Sequence, residues 1–191
     1  TPLLDDLDQR EVWVMAATGD DHRRITNNAV PESGARLSPD GSQVLFMADA
    51  NADFAFYYNA NLFVAPVEGG TPRLLLEDVP YEMDDAVWAP DGRTLFVSAN
   101  TGARQNLFRV SLQDERLEPL TEGDHSVSDW SYHPAAGHHV FTVATPQNPG
   151  DVWTMPEDGG AWTRGTRLFE DVSTTYRLPR QELITYDGRD G

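Results

Sequence analysis

Apolar positions along the chain come in short clusters, not in long stripes. Val44-Leu45-Phe46, Leu95-Phe96-Val97 and Val140-Phe141-Thr142 each begin three residues beyond a glycine, at Gly41, Gly92 and Gly137. Ahead of each glycine lies an alternating pair: Ala35 and Leu37, Ala86 and Trp88, Trp130 and Tyr132. Period-two spacing on one side of a Gly turn and a β-prone apolar run on the other predicts a hairpin. The first two turns read Pro-Asp-Gly, in "RLSPDGSQVLF" and "VWAPDGRTLFV"; the third, "SYHPAAGHHVFTV", has Ala in place of Asp. Proline presets φ, Asp can bond its own backbone and Gly takes positive φ. These turns are therefore expected to mark geometry and not a site. No segment sustains a 3.6-residue apolar period, so helix is expected to be scarce.

A second anchor recurs between the hairpins. "EVWVM", "NLFVA", "NLFRV" and "DVWTM" start at residues 11, 61, 106 and 151, a spacing of 50, 45 and 45 residues that matches the turns. After each come a turn-prone stretch and a short strand: "RRIT", "PRLLL", "EPLT" and "TRLF". One period thus holds four short strands, the pattern of a β-propeller blade. An ordinary β-sandwich gives strands at similar density, but nothing in it requires two independent anchors to keep one period. The expected fold is all-β: a partial β-propeller of four-stranded antiparallel blades. A propeller segment would occupy residues 1–180, with complete blades at about 35–77, 86–121 and 129–169 and a partial blade at 11–26. Trp88, Val97, Phe108, Trp130, Phe141 and Trp153 are expected to be largely buried.

Composition narrows the partners. The 191 residues carry 14 Lys+Arg against 31 Asp+Glu, a formal charge of -17. That balance disfavours phosphate neutralisation, so neither nucleic acid nor an anionic membrane is expected as a partner. The acidic residues are dispersed and read as a solvated surface. Cysteine is absent, which fits a reducing compartment or a periplasmic-type protein without bridges and does not choose between them. No apolar run reaches the ~20 residues of a membrane span, and "TPLLDDLDQREV" lacks the basic and apolar segments of a secretion signal. A soluble protein is expected. The chain also lacks an initiator Met, consistent with an N-terminus made by processing, cloning or proteolysis.

The "SPDG" and "APDG" turns, each followed by an apolar strand and then "NLF", resemble the TolB-like repeat in the non-catalytic propeller of prolyl-oligopeptidase-family serine peptidases. "RLPRQELITYDGRDG", residues 177–191, is similar to the junction at which those peptidases pass into an α/β-hydrolase domain. The resemblance spans nearly the whole chain, with "PLTEGDHSVSDWSY" and "PGDVWTM" placing it in the later blades. Two stretches depart from the family's pattern, "HPAAG" and "TRLFEDVS". The resemblance implies that residues 181–191 begin the linker to a hydrolase domain lying beyond this stretch. It also implies that the parent is a serine peptidase with a peptide substrate.

Such peptidases use a Ser-His-Asp triad with the Ser in a G-x-S-x-G elbow. No G-x-S-x-G occurs here, and Ser38, Ser98 and Ser128 have no activating context, so this stretch alone is expected to be catalytically inert. No cofactor is expected. Asp49-Ala50-Asn51-Ala52-Asp53 begins like a calcium loop, but Phe54 and Ala60 stand where Gly and Glu are needed. His133, His138 and His139 have no neighbouring acidic ligand and are expected to face solvent. No metal is assigned. The segment that exceeds the needs of the fold is "DANADFAFYYNANLF", which lengthens a strand connection and sets Phe54, Phe56, Tyr57 and Tyr58 where a short polar loop is usual. Aromatic-tipped connections are candidates for partner or substrate contact, and packing on a neighbouring blade or on the hydrolase domain is the competing explanation. Glu82, with Asp84 and Asp85, precedes a strand expected to line the channel and could recognise a peptide amino group by charge.

Two functions are consistent with these features. One is the non-catalytic propeller segment of a serine oligopeptidase or aminopeptidase, gating substrate access and helping to hold peptide ends. The other is a stand-alone propeller that binds or scaffolds a protein. The chain opens with the third and fourth strands of a blade (Glu11 to Thr26) and closes with strand-like material (Thr174 to Tyr186). Its open ends would be covered by the parent chain or by a second copy in a homo-oligomer. Pairing Val12-Trp13-Val14 with the C-terminal strand would instead close a small ring.

Overall fold

The computed structural model describes residues 10–178 and 180–189. The initial "TPLLDDLDQ", Pro179, Asp190, Gly191 and the side chain of Tyr58 lie outside the described residues. Fourteen strands and one short helix form, in this order: β1 (Trp13–Val14), β2 (Arg23–Arg24), β3 (Glu32–Leu37), β4 (Gln43–Ala50), β5 (Phe56–Pro66), β6 (Arg73–Leu75), β7 (Glu82–Trp88), β8 (Thr94–Asn100), β9 (Gln105–Ser111), β10 (Leu117–Pro119), β11 (Ser126–His133), β12 (His138–Thr145), β13 (Asn148–Pro156), β14 (Thr163–Arg164) and α1 (Val172–Thr175). They make three four-stranded sheets in simple meander order, β3 to β6, β7 to β10 and β11 to β14, preceded by the two-stranded β1–β2. The all-β, four-stranded antiparallel fold is the one the repeat predicts.

Two compact units are present: residues 1–101 with 106–121, and 102–105 with 122–191. In the first unit, the β3–β6 sheet is buried on both faces. Leu45, Leu62, Val64 and Leu75 pack with Met83, Ala86, Trp88, Leu95 and Val97 of the next sheet. Val44, Phe46, Phe63 and Ala65 turn the other way, onto Val12, Ile25 and Val30 around the β1–β2 pair. A strand covered on both sides needs apolar residues at every position, which is why its sequence reads Val-Leu-Phe and not as an alternation. Phe46 and Phe63, paired across the strands, stack at 5.5 Å between centroids. The Trp88 indole donates to the Arg36 carbonyl (3.1 Å), so its ring is buried without leaving its N–H unpaired.

The second unit holds the β11–β14 sheet. Val127, Phe141 and Met155 are fully enclosed, and Trp162 sets its ring edge-on to Phe141, Trp153 and His125. Trp130 and Trp153 are half-buried, not largely buried as their sequence positions suggest. Trp130 spends its polar end inward, its indole donating to Nδ1 of His139 (3.2 Å), while the Trp153 ring lies under the Arg164 guanidinium.

A repeated polar clamp closes the third and fourth strands. The backbone N–H of Val12, Leu107 and Val152 each donates 2.9 Å to the hydroxyl of a threonine 14 residues later: Thr26, Thr121 and Thr166. Each threonine hydroxyl then donates to a side-chain oxygen: Glu32, Asn106 and Asp151. In the β3–β6 sheet Leu76 occupies the threonine's place, at φ 57°, and its N–H goes instead to Glu115 of the following sheet (3.0 Å). This register also corrects the last fourth strand. It is Thr163–Arg164, and "TRLF", residues 166–169, lies past it with only its first residue, Thr166, in the clamp.

The strand-like material expected at Thr174 to Tyr186 does not form. Val172–Thr175 is a single helical turn, and the described residues that follow make no strand. With Leu183, Ile184 and Tyr186 exposed there, no neighbour among the described residues supplies the ladder that an extended segment needs. β1 accordingly pairs only with β2 among the described residues.

Replacing Trp88 by Ala empties an enclosed site and strands the Arg36 carbonyl. It is expected to cost about 3–5 kcal/mol in denaturant unfolding of the full chain, where Leu168→Ala, at an exposed position, should change the midpoint little.

Candidate functional site

The β4–β5 connection is built to hold its aromatic residues still. Asn51 Oδ1 accepts the N–H groups of Asp53 and Ala55 (3.0 Å each), and the Asn51 and Phe54 backbones bond across the turn. Phe54, at φ 54°, folds back onto Phe63 with ring centroids 4.7 Å apart. Its left-handed backbone is tolerated because that stacking and the Asn51 cap over-determine the turn. Phe54 is thus an anchor in the core around β1–β2, and packing accounts for it.

What the anchored turn presents is Phe56, 69% exposed, and Tyr57, 47% exposed, at the head of β5. Tyr58 follows in the same strand. Glu82 begins β7, opposite Asn100, and is exposed. Asp85 takes two bonds from Arg36 (3.0 and 3.2 Å) and one from the Ala86 N–H, so its charge is committed to joining β3 to β7. Exposed aromatic groups on a bonded turn suit an apolar partner side chain.

The opposite ends of these sheets carry the Pro-Asp-Gly turns. Asp40 Oδ1 accepts from the Ser38 hydroxyl (2.6 Å), the Ser42 N–H (3.0 Å) and the Ser42 hydroxyl (2.8 Å). Those bonds, Ser38 foremost, pull its carboxyl down to about 2. Asp91 accepts from the N–H groups of Arg93 and Thr94 and from the Thr94 hydroxyl. Burial works to raise the Asp91 carboxyl, and these donors outweigh it. Gly41, Gly92 and Gly137 sit at φ 72°, 64° and 59°. The third turn, without an Asp, is held by backbone bonds and by His138 Nδ1 donating to Ala136 (2.7 Å). Between the first two turns lies a polar groove of about 430 Å3, lined in part by Ser42, Gln43, Arg73, Arg93 and Gln113. Nothing in the repeat pattern singles out this groove, because its residues belong to different periods.

The histidines divide. His133 and His138 are exposed, whereas His139, expected at the surface, is fully buried. Its Nδ1 accepts from Trp130 and its Nε2–H points to the Glu157 carbonyl (3.3 Å), which fixes the neutral tautomer, and burial pushes its pKa down. It is a satisfied core histidine. Asp151, also buried, accepts from Arg164, Asn148, Thr166 and the Leu168 N–H. Burial acts to raise its carboxyl, and the four donors drive it far below the ordinary range. Among the described residues no three His, Asp or Glu side chains are grouped to hold a metal, and no helix is long and apolar enough to cross a membrane.

The meander of four-stranded sheets, with its turns and clamps, defines a β-propeller segment carrying TolB-like repeats. The chain is similar to dipeptidyl-peptidase 5 of Porphyromonas gingivalis, 25% identical over 159 residues, 80% of this chain and 22% of that protein. It is 32% identical over 117 residues to the Tol-Pal system protein TolB of Anaeromyxobacter sp. strain K, 60% of this chain and 26% of that protein. In shape it matches the β-propeller domain of the Trilobed protease from Pyrococcus furiosus, with a TM-score of 0.61 at 13% identity, covering 82% of this chain and 43% of that one. No family model matches. The resemblance to prolyl-oligopeptidase-family propellers therefore holds, and the chain spans about a quarter or less of the curated relatives it matches.

Two outcomes follow. Asp40 has a folded pKa below its unfolded value, so its stabilising contribution is complete above about pH 4 and is lost as pH falls toward about 2. Acid unfolding followed by circular dichroism should lose that pH dependence in part in Asp40→Asn. Phe54→Ala should destabilise by about 1–2 kcal/mol, and Phe56→Ala by no more than about 0.5 kcal/mol; equal losses in thermal unfolding would refute the division into anchor and presented residue.

Proposed function

We propose that the chain is the non-catalytic propeller segment of a serine oligopeptidase or aminopeptidase, gating substrate access and helping to hold peptide ends. The observation that carries this reading is the match to dipeptidyl-peptidase 5 across 80% of the chain. The absence of any G-x-S-x-G elbow within the sequence supports a supporting role for this stretch, with the nucleophile in an α/β-hydrolase domain after residues 181–191. Phe56, Tyr57 and Tyr58 are the proposed contacts for an apolar peptide side chain, and Glu82 for a peptide amino group. Phe54 supports them from the core.

A second reading, a stand-alone propeller that binds or scaffolds a protein, is favoured by one observation. The identity to TolB, 32%, exceeds that to the peptidase, 25%, although over fewer residues.

Fluorophosphonate labelling separates the two. The 191-residue chain should remain unlabelled, and the product extended through the sequence that follows Gly191 in the source gene should label at a single serine beyond it. Stoichiometric labelling of a serine within residues 1–191, or an unlabelled extended product, refutes the peptidase reading. In the labelled product, Phe56→Ala with Tyr57→Ala should raise KM for short apolar peptides several-fold and leave kcat nearly unchanged.

A further inference from the structure

The basic residues of this acidic chain are all arginine, 14 of them against 31 acids. Across residues 13–164 every arginine but one lies within ion-pair distance of a carboxylate among the described residues. The exception is Arg93, exposed beside the second Pro-Asp-Gly turn, whose guanidinium makes no hydrogen bond or ion pair among the described residues. The acids near it are occupied. Asp91 feels the Arg93 charge but bonds to the N–H groups of Arg93 and Thr94 and to the Thr94 hydroxyl. Glu115 holds Arg73 and the Leu76 N–H, and Asp40 is filled by Ser38 and Ser42.

Arg93 opens into the polar groove of about 430 Å3 between the first two turns. The charged lining there is Arg73, Arg93 and Asp40, two cations to one carboxylate, the reverse of the balance over the whole chain. The turn that carries Arg93 stands between two neighbours. A Cβ on Gly92 would meet Pro39 at 3.8 Å, and the Arg93 carbonyl accepts from the Leu112 N–H (2.9 Å). Gln43 lines the groove from beyond the first neighbour and Gln113 from the second, and the side-chain amide of each bonds to nothing among the described residues.

We propose that this groove docks an extended peptide segment carrying an internal Asp or Glu, with the carboxylate on Arg93 and the flanking peptide groups on the side-chain amides of Gln43 and Gln113. A guanidinium presents a fork of donors that matches a carboxylate. Each glutamine amide both donates and accepts, so it suits a peptide group and is wasted on a bare anion. The volume falls in the range of ligand sites, roughly 300–1,000 Å3, and exceeds what a lone ion fills. An internal acid offers a peptide group on both sides, which a chain terminus lacks. The groove lies at the opposite end of the sheets from Phe56 and Tyr57, so it is separate from the contacts proposed for a peptidase substrate and stands or falls without them.

Nuclear magnetic resonance on the isotope-labelled 191-residue chain tests this with N-acetyl-Ala-Glu-Ala-amide as the probe. The Arg93 Nε–H and the Gln43 and Gln113 side-chain amides should shift on titration, and the rest of the spectrum should stay in place. The isosteric peptide with Gln for Glu should bind at least fivefold more weakly. Arg93→Gln, at an exposed position, should weaken the Glu peptide at least tenfold and Gln113→Ala several-fold, while Arg167→Gln binds as the unsubstituted chain does. Raising the salt to about 0.15 M should weaken the contact. Absence of shifts at the three groups overturns the proposal, as does equal binding of the Gln peptide or unchanged binding by Arg93→Gln. Inorganic phosphate competing as well as the peptide also overturns it, since that would mark a general anion site.

Discussion

The threonine clamp is the contact on which the rest of the architecture rests. A fourth strand of two or three residues has too little ladder to hold itself, because so short a pairing returns few hydrogen bonds for the backbone entropy it fixes. One hydroxyl removes the difficulty by accepting the third strand's N–H and donating to a neighbouring side-chain oxygen. Both groups are buried, so breaking the link would leave orphaned polar atoms, and that penalty exceeds the modest net worth of the bonds themselves. The clamp therefore fixes where each sheet ends, and with it which apolar residues face which neighbour.

Given fixed sheet edges, packing follows. The β3–β6 sheet is covered on both faces, so its apolar run is continuous and the Phe46–Phe63 stack sits inside it. Its first strand is tied to the next sheet by Arg36 with Asp85 and by the Trp88 indole on the Arg36 carbonyl. The exposed aromatic pair at the head of β5 depends on the same core, since Phe54 reaches down to Phe63 to anchor the turn that presents it.

Much of this was legible in the sequence, for a physical reason. Turn chemistry and strand alternation are local, and the chain repeats them, so the Pro-Asp-Gly hairpins and the four-strand period could be read directly. The clamp lay half in view. The Asn or Asp that opens "NLFRV" and "DVWTM" and the Thr that follows the fourth strand stand in the sequence, but their 14-residue link depends on how two strands meet. Lacking it, the reading set the last strand at "TRLF", where local β-propensity is higher, instead of at Thr163–Arg164. The burial of His139 escapes the sequence for a related reason. Its burial comes from Trp130 and Glu157, brought to it by neighbouring strands. Among the aromatic residues of the long connection, sequence alone could not separate the anchor, Phe54, from the presented Phe56, because that difference lies in one left-handed residue.

The exception to the clamp carries an implication for how the protein is made. Leu76 waits for Glu115, a carboxylate 39 residues further along. A ribosome adding roughly 5–20 residues per second exposes the last strand of the β3–β6 sheet several seconds before the group that secures it. The other clamps draw their partners from within 20 residues of each other. Nascent chains would thus hold one unlatched strand through a defined interval, and a pause in translation between Leu76 and Glu115 would lengthen the time during which that strand can be captured by a chaperone or by another emerging chain.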